Sequence, residues 1–313
     1  MKAIATGVIA ALFFASTFVL NQTMAIHGGS WLWSSSLRYF FTVPILLGWV
    51  VWQGQFRKLW HLLRQSPGPW LLWGTVGFGL FYAPLTFAAA YGPSWAVAST
   101  FQLTIIIGSL LVPFTTHHKI PWRHLWPSVP IIAGVGLVQW RNHVDLNQAL
   151  LISIFAVIIS ATAYPLGNRK MMALTGGEIS APARILGMTL GSLPFWAVLA
   201  VIGRHTAGMP PLWQWRETFL VALSSGVIAT ALFFKATDQA HGRPAMLAKV
   251  EATQSMEIVF TLVLALLFRL PGRVSWTSEA GMGLVMAGMV WHALGSPGGK
   301  KGEQLPVSEM AES

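Results

Sequence analysis

The chain has 313 residues, 54% of them hydrophobic and only 10% charged, where an ordinary soluble protein carries about 25% charged residues. That composition leaves little chain for a soluble domain, and the absence of cysteine removes disulfides, thiolate metal sites and cysteine nucleophiles. The formal charge of +10 would suit nucleic acid, but the basic residues sit in short loops instead of forming one face, so no nucleic-acid partner is expected.

A hydrocarbon core of ~30 Å needs roughly 20 apolar residues per helix. Ten stretches meet or approach that length: Ala3–Ala25, Trp31–Trp52, Trp70–Tyr91, Trp95–Thr115, Pro127–Trp140, Ala149–Gly167, Pro182–Gly203, Thr218–Thr237, Pro244–Phe268 and Trp276–Leu294. Lys2 before an apolar run resembles a signal peptide, but with nine spans behind it the run reads as a first transmembrane helix. The fifth span is short and carries Pro127 and Pro130. Residues 296–313, within "GSPGGKKGEQLPVSEMAES", are Gly, Pro and charge without periodicity and are expected to form a disordered cytoplasmic tail.

With the N-terminus inside, Lys2, Arg57, Lys58, Arg64, Lys119, Arg123, Arg169, Lys170, Lys235, Arg243, Lys300 and Lys301 are cytoplasmic, whereas only Arg141, Arg204, Arg216, Arg269 and Arg273 fall outside. This bias predicts a multi-pass cell-membrane protein with both termini cytoplasmic. Most of the 16 Trp lie at or near span ends, as headgroup-level anchors do.

The second half repeats the first. "LFYAPLTFAAAYGPSWAVASTFQ" from Leu80 and "LFFKATDQAHGRPAMLAKVEATQ" from Leu232 align without a gap, pairing Gln102 with Gln254; "SSSLRYF" with Arg38 answers "SAPARIL" with Arg184; and "AGVGLV" from Ala133 echoes "AGMGLV" from Ala280, although Gly134 with Gly288 aligns about as well. The predicted organisation is therefore an all-α integral membrane protein of about ten helices, with one five-helix repeat in 1–146 and a second in 147–295. An odd number of spans per repeat inverts the second copy in the membrane, an arrangement common in secondary transporters.

Ten spans in two halves, an Arg early in the second helix of each half, and Gly/Ala-rich fifth helices resemble the drug/metabolite transporter superfamily across roughly Ala3 to Leu294. Within it the chain is most similar to the multidrug resistance efflux transporter branch. The resemblance implies alternating access and export of small organic molecules, so the partners expected are a small-molecule substrate and membrane lipid, with no cofactor. In the four-helix small multidrug resistance relatives a first-helix Glu binds protons and cationic drugs in turn. Here "AIATGVIAALFFASTFVLNQTMA" has no acid, nor has the sixth span, so that drug–proton mechanism does not carry over. Protons or another ion remain open as the coupling species, and so do monomer and homodimer.

Ionisable residues inside spans cost about 2.5–3.5 kcal/mol on insertion scales and usually face a cavity or a partner. In a regular helix Lys249, Thr253 and Glu257 form one slanting ridge with Gln254 beside it, and Glu251 lies nearly opposite Lys249. Gln102 and Gln254 sit roughly 12–15 Å deep, near the midplane. Tyr82, Gln102, Lys249, Glu251 and Gln254 are the candidate substrate-binding residues, and Arg38, Arg184 and Glu257 the candidate gating or coupling residues. The alternative is structural: interhelical polar bonding for the amides and snorkelling to the headgroups for the arginines. Depth estimates put Arg38 and Glu257 at one level, which predicts an ion pair between them in at least one access state. Asn21 and Asn168 are weaker candidates.

His117, His118 and His124 have no neighbouring carboxylate or thiol and read as solvated interfacial residues, so no metal site is expected. "GTVGFG" from Gly74 lies inside a span and reads as a close helix contact. An intramembrane lipid-modifying enzyme would need a clustered nucleophile, acid/base pair or metal site facing one leaflet, and none is visible. A non-transporting sensor or scaffold is the remaining alternative.

Overall fold

The computed structural model describes residues 2–111, 126, 128–140, 148–239, 246, 250, 253–272 and 274–295. Lys249, Glu251, the three loop histidines, Lys300, Lys301 and the tail lie outside the described residues. Within them all regular structure is helical. Six helices are long and apolar enough to cross a membrane: Lys2–Ile26, Trp31–Trp52, Pro67–Ala88, Leu151–Thr175, Ala181–Ala207 and Leu212–Phe233. Shorter apolar helices occupy Ser94–Gly108, Ser128–Trp140 and Thr253–Leu267, and a further helix runs Trp276–Gly295.

One helix falls where a plain loop was expected. Phe56–Gln65 is amphipathic, with Leu59 fully buried beside Gly187 and with Arg57, Lys58 and Arg64 exposed. Such a segment lies along a membrane interface instead of crossing it. Lys58 reaches Glu178 of the 176–180 loop at 3.7 Å, and Arg64 sits over the Trp60 ring at 4.9 Å.

Two of the long helices widen into π-helix midway, at Thr75–Gly79 and at Ala222–Ala229. A π-turn leaves backbone groups off the regular ladder and is frequent at functional sites. The alignment of Leu80 with Leu232 sets the first π segment against 227–231, so the two overlap in the repeat. At Gly77, in the first, a Cβ would lie 3.2 Å from Gly167 Cα, the close helix contact read from "GTVGFG".

Two other helices break at corresponding points. Ser94–Phe101 ends at Gln102, and a new α-helix begins at Leu103. Thr253–Ser255 forms a single 3₁₀ turn containing Gln254, before the α-helix Met256–Leu267. The regular spacing assumed for Lys249, Thr253 and Glu257 therefore does not run unbroken through this region.

Packing crosses between the halves. Trp31–Trp52 lies on Ala181–Ala207, and Ser128–Trp140 on Trp276–Gly295. Leu80–Ala88 lies on Gln148–Thr175, as Thr230–Gln239 lies on Lys2–Ile26. Exchanging the halves maps this set of contacts onto itself. The tightest contact is between Ser128–Trp140 and Trp276–Gly295, where a Cβ on Gly134 would lie 2.5 Å from Gly281 O and one on Gly281 2.6 Å from Gly134 O. Gly134 thus meets Gly281, its partner in one of the two alignments left open by the sequence.

At one end of the bundle side chains stitch loops to helices. Gln22 accepts the Ser94 N–H at 2.8 Å and donates to Pro271 O at 3.1 Å; Gln214 donates to Ser30 O at 2.7 Å; Trp33 Nε1 donates to Gly208 O at 2.8 Å. The charge bias makes this the expected outer end.

Candidate functional site

Arg38 sits on the inward face of Trp31–Trp52, seven residues after Trp31. Its Nη2 donates to Ser225 Oγ at 3.1 Å, and its Cζ stands 3.9 Å from the centroid of the Tyr82 ring. Ser225 belongs to the second π segment. Tyr82 Oη accepts from Asn21 Nδ2 at 3.0 Å and donates to Asn21 Oδ1 at 3.2 Å, so Asn21 fixes the ring that carries the guanidinium. Tyr39 stacks on Trp196 at 4.4 Å, with the ring planes 12° apart. A cation over an aromatic face is stabilised most where water is excluded. This arrangement leaves Arg38 without a carboxylate within 4.0 Å among the described residues.

Glu257 is 8% exposed, at the start of Met256–Leu267. Its carboxyl lies beside the Gln102 side chain, which donates to Ala98 O at 3.3 Å. Gln102 and Glu257 are thus joined across the two helix breaks. Gln254 Nε2, one residue before the second break ends, is buried without a hydrogen-bond partner. Arg38 and Glu257 do not form an ion pair in this conformation, because each has taken a different partner.

Tyr164 lies where these groups converge. It is packed 4.8 Å from the Phe81 ring and 6.3 Å from the Phe101 ring, and it stands within electrostatic range of Glu257, Arg184 and Arg38 together. Those neighbours come from five other helices, yet Tyr164 is 38% exposed. Its side chain lies in line with the buried Val157 and Ser160, on the bundle-facing side of its helix. Arg184 enters from the far end, and its Nε is buried with no partner. That nitrogen, at least, is kept from water.

Of the sequence candidates, Arg38 and Tyr82 are in contact, Gln102 and Glu257 are in contact, and Arg184 reaches the same region through Tyr164. Lys249 and Glu251 lie outside the described residues, and Asn168 makes no described contact with this group. Tyr164, Ser225, Tyr39 and Trp196 were not singled out by sequence. Tyr164 had a signal, being one of only four Tyr in the chain and set in mid-span beside Pro165. Ser225 had none, because a serine on a lipid-length helix is common.

Over residues 1–297 the sequence matches the EmrE family, described as "Putative multidrug resistance efflux transporter". It is 47% identical to the uncharacterized protein YjlA of Bacillus subtilis over 309 residues, 95% of each chain. It is also 47% identical over 266 residues to an uncharacterized 42.1 kDa protein of Shouchella clausii, spanning 82% of this chain and 70% of that one. A crystal structure only 14% identical shares the fold, with a TM-score of 0.62 over 92% of this chain and 94% of the other.

Proposed function

Because this chain belongs to the multidrug resistance efflux transporter family of the drug/metabolite transporter superfamily, we propose that it is a secondary-active carrier. It exports small organic molecules by alternating access along a path beside Tyr164. The observation that carries this reading is the pair of helix breaks at Gln102 and Gln254, which occupy aligned positions in the two halves and bring Gln102 onto Glu257. Discontinuous helices at repeat-related positions frame the substrate sites of many inverted-repeat carriers. Two inverted five-helix repeats, 1–146 and 147–295, are supported by the π segments and by the symmetric exchange of packing partners. In this reading Gln102, Gln254 and Tyr82 line the site, with Lys249 and Glu251 on the same ninth span. Arg38, Arg184 and Glu257 gate it or couple it to an ion.

The test is growth of cells with and without the gene on a panel of toxic compounds, followed by flux of the active compounds in liposomes. Gene-dependent resistance with matching flux is expected. Resistance without flux would favour the sensor or scaffold alternative.

The orientation is separately measurable. A reporter fused after Lys301 should read cytoplasmic, and one inserted at Gly208 external, because the charge bias places them on opposite sides. Finding both on one side would remove the inversion on which the two-repeat reading depends.

A further inference from the structure

Resting on the carrier reading, we propose that the exported molecules carry a carboxylate on an aromatic body, and that Arg184 and Arg38 receive it in turn. Among the described residues, the ionisable groups converging on Tyr164 are Arg38, Arg184 and Glu257. Glu257 lies against Gln102, and no described carboxylate lies within 4.0 Å of either arginine. Guanidinium groups stay charged at any physiological pH and present a planar fork that matches a carboxylate. Two of them converging on one low-dielectric region repel a cation and favour an anion. The walls are flat and apolar: Phe81 and Phe101 flank Tyr164.

The two arginines are in different conditions, which gives the order. Arg38 is engaged, bonded to Ser225 and seated over Tyr82. Arg184 is not, since its Nε is buried and unpartnered. Buried donors without partners are rare and costly, and an entering carboxylate would satisfy this one. The end at Gln22, Gln214 and Trp33 is held together by hydrogen bonds between elements, whereas Arg184 lies near the opposite end, three residues into its helix. Arg38 and Arg184 align in the repeat, so reversing the access state exchanges their surroundings. The carboxylate then passes from Arg184 to an Arg38 released from Ser225.

Phenylacetate, phenylacetamide and phenethylamine share one body and differ in charge. Binding of each to purified full-length protein in detergent is read by thermal shift and tryptophan fluorescence. Phenylacetate alone should stabilise the protein. Arg184→Gln should weaken its binding at least about tenfold, as expected for a lost charge-assisted bond, and Arg184→Lys should restore part of it. Arg38→Gln provides a second reading should Arg184→Gln express poorly. Equal or better binding of phenethylamine, no binding of phenylacetate, or unchanged affinity in both arginine variants would overturn the proposal. Flux of phenylacetate in liposomes is scored apart: intact selective binding with no flux would sink the carrier reading and leave the carboxylate site standing.

Discussion

Gly281→Leu should abolish stable folding, whereas Gly283→Leu, two residues further along the same helix, should leave it intact. A Cβ at 281 would lie 2.6 Å from Gly134 O and 2.8 Å from Val138 N, both backbone atoms with nowhere to go. At 283 nothing lies within 4 Å of the added atom. The partner helix predicts the same contrast, because a Cβ at 134 would meet Gly281 O at 2.5 Å and Val285 N at 2.8 Å, while one at 136 meets nothing. Overpacking a well-fitted contact costs typically 1–3 kcal/mol, and a clash of backbone with backbone belongs at the upper end, about 3 kcal/mol or more. The measurement is the yield of monodisperse protein and its melting temperature in detergent. Gly281→Leu melting like Gly283→Leu would show that the helices do not cross at these residues.

That contact also shows where sequence reading stopped. "AGVGLV" and "AGMGLV" marked the two helices as counterparts but left Gly281 and Gly288 equally good partners for Gly134. Only the crossing selects Gly281, whose backbone closes on that of Gly134. Apolar length marked from sequence alone the regions of the six helices long enough to cross a membrane, since that length follows from the thickness of the membrane. The π segments and the breaks at Gln102 and Gln254 did not register, because nothing in the local residue pattern distinguishes a widened or interrupted turn from a regular one. The amphipathic helix Phe56–Gln65 was visible as a cluster of basic residues, and its face emerged only once Leu59 met Gly187. At the site, charge made Arg38, Arg184 and Glu257 conspicuous. Their actual partners are Ser225, Tyr82, Tyr164 and Gln102, uncharged groups whose role depends on three-dimensional proximity.

Those partners reshape the expectation for Arg38 and Glu257. Arg38→Gln and Glu257→Gln should each cut flux at least about tenfold, within the 5–150-fold range typical of coupled sites, while neither lowers the melting temperature appreciably. Stability should survive because Gln keeps a hydrogen-bonding group at each position and removes a charge that is costly inside the membrane. In this conformation the two residues are apart, one on Ser225 and Tyr82 and the other on Gln102, yet both stand within electrostatic range of Tyr164. Reversing access frees Arg38 from Ser225, and Glu257 is the described carboxylate that shares its surroundings at Tyr164 and can take its place beside the guanidinium. Glu257 would thereby compete with a substrate carboxylate for Arg38 and drive it off at the exit. The consequence is specific: Glu257→Gln should lower both kcat and KM for the carboxylate, since a substrate no longer displaced is held more tightly and released more slowly. Arg38→Gln should lower kcat and raise KM. The double variant should be no worse than the poorer single one, because once either member is gone the competition is gone. Strictly additive losses, or a KM that rises in Glu257→Gln, would show that Glu257 never reaches Arg38 and that release is brought about elsewhere in the bundle.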